Sequence, residues 1–162
     1  MTLPDGYTLR RATAEDAPTI ARQRGQMFVD MGELTPQDAA EQHALWTDWL
    51  RGALPAGDYV GCLADVGGAS VGGVGLMFQP KMPSAKDRAP LKAYVLNMYV
   101  APEHRRRGLA EALMRAILAE AGTRGLRSVG LHAAPLGRRI YERLGFVEAD
   151  NPEMRLTLEP SP

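Results

Sequence analysis

The run from Val100 to Leu118 constrains this chain more than any other stretch. An apolar segment ends at Val100, Pro102 marks a turn, and Arg105-Arg106-Arg107-Gly108 leads into a helical pattern that starts at Leu109. Read geometrically, this is a strand, a short turn and a bare helix N-terminus. The first backbone N–H groups of a helix have no intrahelical partner, and the aligned peptide dipoles put partial positive charge there. Three arginines at that end oppose the dipole by about 0.3–1 kcal/mol each, so the arrangement makes sense with an anion between them. Gly108 and Ala110 are small where a phosphate would approach the amides. Arg105 to Ala110 is therefore a candidate pyrophosphate cradle.

The totals set bounds on the rest. A chain of 162 residues with 45% hydrophobic and 23% charged content suits one domain with a sizeable core. The formal net charge of zero provides no global attraction to nucleic acid or anionic lipid. Cys62 is the only cysteine, so no disulfide or cysteine metal site can form within the chain, and the histidines at 43, 104 and 132 are scattered. No apolar run approaches the roughly 20 residues of a membrane span. The first residues lack the basic and apolar regions of a signal peptide. These features lead us to expect a cytoplasmic enzyme or binding domain with no metal.

Along the chain, Tyr7–Arg11 reads as a strand and Thr13-Ala14-Glu15-Asp16 as a helix start, with an apolar stripe running to Met31. Thr35-Pro36 opens a second helix to about Leu54, and Leu54 to Asp58 reads as a turn. Tyr59–Asp65 and Ser70–Phe78 form a hairpin through Gly67-Gly68. Gln79 to Pro90 reads as a long, mobile loop and Leu91–Val100 as an apolar strand. The helix that follows places Leu109, Ala110, Leu113, Met114, Ile117, Leu118 and Ala121 on a broad apolar face. Ser128–His132 reads as a strand reached by a right-handed parallel crossover. Leu136–Leu144 reads as a short helix, Phe146–Glu148 and Met154–Leu158 as closing strands, and residues 159–162 as a loose tail.

Arg105-Arg106-Arg107-Gly108-Leu109-Ala110 resembles the acetyl-CoA signature of the GNAT-type N-acetyltransferases, Arg/Gln-x-x-Gly-x-Gly/Ala. Gly137 to Phe146, a helix carrying Tyr141 and ending in Leu-Gly-Phe, resembles that family's second signature. The order of elements matches across nearly the whole chain. The resemblance implies an α/β fold in one domain over residues 1–158. Its mixed, mostly antiparallel sheet would carry a central splayed parallel strand pair, with about four flanking helices.

The resemblance also implies roles. Acetyl-CoA would be the co-substrate and a primary amine of a small molecule or peptide the acceptor, with direct attack in a ternary complex. Arg105, Arg106, Arg107, Gly108, Leu109 and Ala110 would hold the pyrophosphate. The backbone at Met98, Tyr99 and Val100 would align the pantetheine arm, and Tyr141 would assist the leaving thiolate. Phe28, Met31, Glu33 and Asn97 are acceptor-site candidates. Phe28, Met31, Trp46 and Trp49 also read as core.

The sequence departs from the family in three places. Arg106 stands where glycine is usual, Ala134 where asparagine is frequent, and Leu91–Val100 holds no carboxylate. A general base would then come from Asp30, Glu33 or His43, or from water. His132 reads as structural, and Cys62 lacks the adjacent histidine that a nucleophile needs. A non-catalytic CoA-binding module is the alternative, with a nucleic-acid-binding domain behind it. The expected partners exclude nucleic acid and membrane and admit a homodimer.

Overall fold

The computed structural model describes residues 3–158. Two compact units divide between His132 and Ala133. The first begins with β1 (Tyr7–Arg11), a 3-10 turn (Ala14–Asp16), α1 (Ala17–Asp30) and α2 (Pro36–Ala56). It continues with β2 (Tyr59–Val66), β3 (Ala69–Pro80), β4 (Leu91–Val100), a second 3-10 turn (Pro102–His104), α3 (Leu109–Thr123) and β5 (Val129–Gly130). The second unit holds α4 (Arg138–Arg143). The strand order is β1-β2-β3-β4-β5, antiparallel except for the parallel pair β4–β5. A mixed, mostly antiparallel sheet with four α-helices among the described residues is the α/β class expected. None of these helices is long and apolar enough to cross a membrane.

Local chemistry sets the helix starts. The Asp16 carboxylate accepts from the Thr13 amide at 2.8 Å, and Arg10 donates to both its oxygens at 2.8 Å. Arg10 Nε also donates to Asp65 at 2.6 Å, so one guanidinium ties β1, the 3-10 turn and β2. Thr35 and Asp38 form a capping box at the head of α2, with Pro36 at the first helical position. Six successive residues of β2 are buried, which requires cover on both faces of the sheet. Tyr59 and Leu63 pack with Ile20, Ala21, Leu50 and Ala53 from α1 and α2. Val60, Cys62 and Ala64 alternate to the other face, where α3 contributes Leu109, Leu113, Met114 and Ile117.

Several boundaries differ from the sequence reading. Thr13 caps the helix start as expected, but the first turn is 3-10 and α1 proper begins at Ala17. The second runs through Pro55 to Ala56, and Gly57, with φ +79°, ends it instead of a turn at Leu54. Pro55 lies in the last turn, where it removes a single amide from the ladder. The loop is Lys81–Pro90 and is tied internally: the Lys81 amide donates to the Pro90 carbonyl, and its ammonium pairs with Asp87 at 3.2 Å.

The parallel partner is only Val129–Gly130, paired with Ala93 and Tyr94, and it stands at the end of the strand order rather than in the centre. The expected strands at 146–148 and 154–158 are not formed. A strand needs a ladder for its amides, and here Val147, Met154, Leu156 and Leu158 are 79–94% exposed. The tail at 159–162 lies outside the described residues.

Tyr59 is fully buried, and it fits because β3 has no side chain at Gly75: a Cβ there would lie 2.1 Å from the Tyr59 hydroxyl. Gly75→Ala should cost about 1–3 kcal/mol, read as a lower urea midpoint at unchanged slope; an unchanged midpoint would show that Tyr59 can leave without cost. The hydrogen bonds from Arg10 hold the Asp16 carboxyl below its ordinary 3.8. A depressed folded-state pKa stabilises above the unfolded value and is lost as pH falls, so stability should decline below about pH 5. Asp16→Asn should flatten that part of the profile in acid-dependent melting.

Candidate functional site

The basic run forms the expected strand–turn–helix. Gly108 is the N-cap of α3, with φ +81° and no side-chain cap, so the first amides of the helix must be satisfied from outside it. Arg106 has φ +60°, the left-handed conformation that glycine adopts most easily, and its side chain is exposed, as is that of Arg107. Arg105 is occupied differently. Its Nε donates to the Val100 carbonyl at 2.8 Å, and its guanidinium pairs with Asp30. It therefore fixes the end of β4 against the end of α1. Leu109 is buried beneath the helix start.

Asp30 is consequently engaged rather than poised. Burial raises its pKa, but hydrogen bonds from Gln26 and Arg105 outweigh that and hold it below the ordinary carboxylate value. The neighbouring Tyr99 hydroxyl is pushed up, first by burial and then by the Asp30 charge. A carboxylate kept ionised by a guanidinium is a weak proton acceptor. His43 is likewise tied: its Nε2 donates to the Pro18 carbonyl at 3.1 Å.

Upstream of the turn, β4 carries a bulge. Gly73 pairs with Tyr99 and Gly75 with Leu96, so Asn97 and Met98 together face Val74. Asn97 supplies the left-handed residue, with φ +56°. Its buried side chain accepts from Arg24 at 2.5 Å and donates to the Tyr59 hydroxyl at 3.1 Å. Burial pushes the Tyr59 hydroxyl up to about 12, so it remains a neutral acceptor for the Asn97 amide.

On the side away from β3, β4 pairs among the described residues only through Ala93 and Tyr94, where β5 ends. The parallel pair that the resemblance implied is thus present but short; beyond Tyr94 no described strand pairs with β4 on that side, and the Val100 carbonyl there accepts from Arg105. Tyr94 and His132 Nδ1 share a hydrogen bond just past the end of β5, consistent with a structural histidine.

Between α1 and α2 lies a cavity of about 420 Å³ lined by Arg24, Phe28, Glu33, Leu34 and Trp46, together with Asp38 and Gln42. Phe28 and Glu33 thus share a space. Met31 ends α1 outside that lining. Trp49, expected in the core, is 47% exposed. Cys62 is buried in β2, and burial pushes its thiol up to about 11, which suppresses the thiolate. Among the described residues no cluster of three His, Cys, Asp or Glu could hold a metal.

In the second unit, Tyr141 lies in α4, 8% exposed, edge-on to Phe146 at 6.0 Å. Gly137 makes room for it: a Cβ there would lie 2.9 Å from the ring.

Sequence reasoning missed Arg24. It interrupts the apolar stripe of α1 one turn before Phe28, and an arginine at such a spacing reads as a break in the stripe. Its place on the inward face, four residues after Ile20 and four before Phe28, was the available signal.

The acetyltransferase (GNAT) family model matches residues 24–146. No curated protein matches the sequence. Among solved structures, a GCN5-related N-acetyltransferase from Ralstonia eutropha JMP134 is 32% identical, with 93% of this chain and 99% of that one covered and a TM-score of 0.84. An acetyltransferase from Trypanosoma brucei is 27% identical over 94% of this chain and 99% of that one, with a TM-score of 0.67. A predicted acetyltransferase with acetyl-CoA from Clostridium acetobutylicum, 23% identical over 93% of this chain and 96% of that one, shares the fold with a TM-score of 0.85. With three quarters of its length under one family model and the same fold in these relatives, the chain belongs to the acetyltransferase (GNAT) family.

Proposed function

We propose that this protein transfers an acetyl group from acetyl-CoA to a primary amine, within one acetyltransferase domain over residues 1–158. The observation that carries this is the uncapped start of α3, with Gly108 in the left-handed region, reached through a 3-10 turn from a β4 that no described strand pairs beyond Tyr94 on the side away from β3. The residues present fit the co-substrate. Gly108 and Ala110 bring no bulk to the first-turn amides, the exposed Arg106 and Arg107 add positive charge, and the Met98–Val100 edge offers backbone groups to an amide-bearing arm. Acetyl-CoA supplies an activated thioester; as the N–C bond forms and the C–S bond breaks, one ammonium proton ends on sulfur and another in solvent.

The protein's contributions are orientation and charge. The α3 amides with Arg106 and Arg107 hold the diphosphate, and Arg105 holds the strand end rather than the anion. A β4 backbone N–H stabilises the developing oxyanion, a contribution worth about 2.7–4 kcal/mol for a well-placed donor. Tyr141 hydrogen-bonds the departing sulfur. Full proton transfer from a tyrosine near 10 to a thiolate near 8.5 is uphill by about 2 kcal/mol, so the hydrogen bond is its larger contribution. No carboxylate lies on β4, and Asp30 is held ionised by its own partners. Freeing an alkylamine of pKa about 10.4 at pH 7 costs about 4–5 kcal/mol, and water accepts that proton. The missing strand carboxylate also favours a non-catalytic CoA-binding module as the second reading, which release of free thiol with an amine acceptor eliminates.

Acetyl-CoA at about 100 times its Kd should stabilise the fold by about 2.7 kcal/mol, seen as a rise in Tm; no shift at millimolar ligand would overturn the reading. Gly108→Glu should abolish that rise, because it adds bulk and negative charge at the cradle. Tyr141→Phe should lower kcat by about 10–100-fold, as expected for losing a hydrogen bond to a charged group, while changing the Kd for acetyl-CoA little; unchanged turnover would reduce the tyrosine to packing.

A further inference from the structure

Arg24 is a partly buried cation without an ion pair among the described residues. One NH group donates to Asn97 Oδ1 at 2.5 Å, and the guanidinium carbon lies over two rings, 4.7 Å from the centre of Phe28 and 5.3 Å from that of Trp46. A guanidinium has five N–H donors. Aromatic faces stabilise its charge but accept none of the in-plane hydrogen bonds. Burial depresses its pKa, with no carboxylate contributing. A desolvated charge in such a position is costly unless an anion completes it.

Arg24 also lines the cavity of about 420 Å³, within the range of about 300–1,000 Å³ typical of small-molecule pockets. Two acids share the lining, and neither pairs with Arg24. Asp38 is committed to the Thr35 cap; Glu33 is exposed. Apolar surface comes from Phe28, Leu34 and Trp46. A dianion would meet the two carboxylates unfavourably, and a plain cation would meet the guanidinium. A net-neutral ligand carrying both signs and an apolar body answers all three features.

We infer that the cavity between α1 and α2 takes a free amino acid, with Arg24 binding its carboxylate. The inference rests on the acetyl-transfer reading, since that amino acid is then the acceptor and its amine the nucleophile. Arg24 is bonded to the bulge residue of β4, so a carboxylate on its remaining N–H groups keeps the adjacent amine close to that strand. Recognition by a planar fork is also what separates an amino acid from its amide or its decarboxylated amine.

The test is calorimetric titration of the protein, alone and with CoA, with six probes: glycine and the L-forms of alanine, leucine, methionine, phenylalanine and tryptophan. Each is compared with its carboxamide and its decarboxylated amine. At least one amino acid should bind about 10–100-fold more tightly than both derivatives, as expected for hydrogen bonds to a charged group. Arg24→Gln should erase that preference while leaving carboxamide affinity within about threefold, a pattern that general loosening of the fold does not produce. Arg24→Lys, which keeps charge without the fork, should restore part of it.

Binding of none of the six, equal binding of the derivatives, or a preference that survives Arg24→Gln would each overturn the inference. The comparison in the unsubstituted protein decides the matter even if Arg24→Gln fails to fold. Acetyl-CoA stabilisation together with thiol release on other amines, but no amino-acid preference, would overturn this inference and leave acetyl transfer standing. Amino-acid preference without acetyl-CoA stabilisation would overturn acetyl transfer and with it the acceptor role, leaving the cavity as an amino-acid site.

Discussion

Asn97 occupies left-handed backbone in the middle of a strand, and hydrogen bonds with Arg24 and Tyr59 hold it there. The strain of such a residue is about 1–3 kcal/mol, least for asparagine, and a bond from a charged donor returns about 1.5–3 kcal/mol. The balance favours the bulge. Through it β4 is joined to Arg24 of α1 and to Tyr59 of β2, whose ring needs the space that Gly75 of β3 leaves. Strand, helix and glycine are thus parts of one arrangement around a single amide side chain.

The three consecutive arginines, alike in sequence, divide their work. Arg105 is spent on Val100 and Asp30, so it positions one strand end and silences one carboxylate together. Arg106 and Arg107 remain exposed beside the helix start. Arg106 bears a conformation suited to glycine, and its amide is unaffected by the side chain it carries. An anion there meets two mobile cations and fixed backbone dipoles rather than three rigid forks.

The helices were legible from apolar stripes such as Leu109, Leu113, Met114 and Ile117, and β2 to β4 from apolar runs bounded by turn residues, β2 and β3 being buried on both faces. The strand–turn–helix of the cradle was legible for the same reason, together with its glycine. Pro55 misled because a breaker in the last turn costs little. Residues 146–158 misled because alternating apolar residues describe a strand only when a neighbour supplies hydrogen bonds. Arg24 was hidden because its meaning depends on Asn97, 73 positions away, and no local pattern encodes that pairing. The bulge itself was invisible for the same reason: Asn97 stood out as polar, but its φ depends on what faces it across β3.

Cys62 brings a consequence of its own. The only sulfhydryl in the chain is buried in β2, with its ionisation suppressed to about 11. At neutral pH it is protonated and shielded, so it is a poor target for disulfide exchange, alkylation or self-acylation by a thioester. If the co-substrate is the proposed thiol-bearing carrier, the protein thereby keeps its own sulfur out of the exchange. Acyl groups have no covalent resting place on this cysteine, and oxidants have no ready route to crosslink one copy to another.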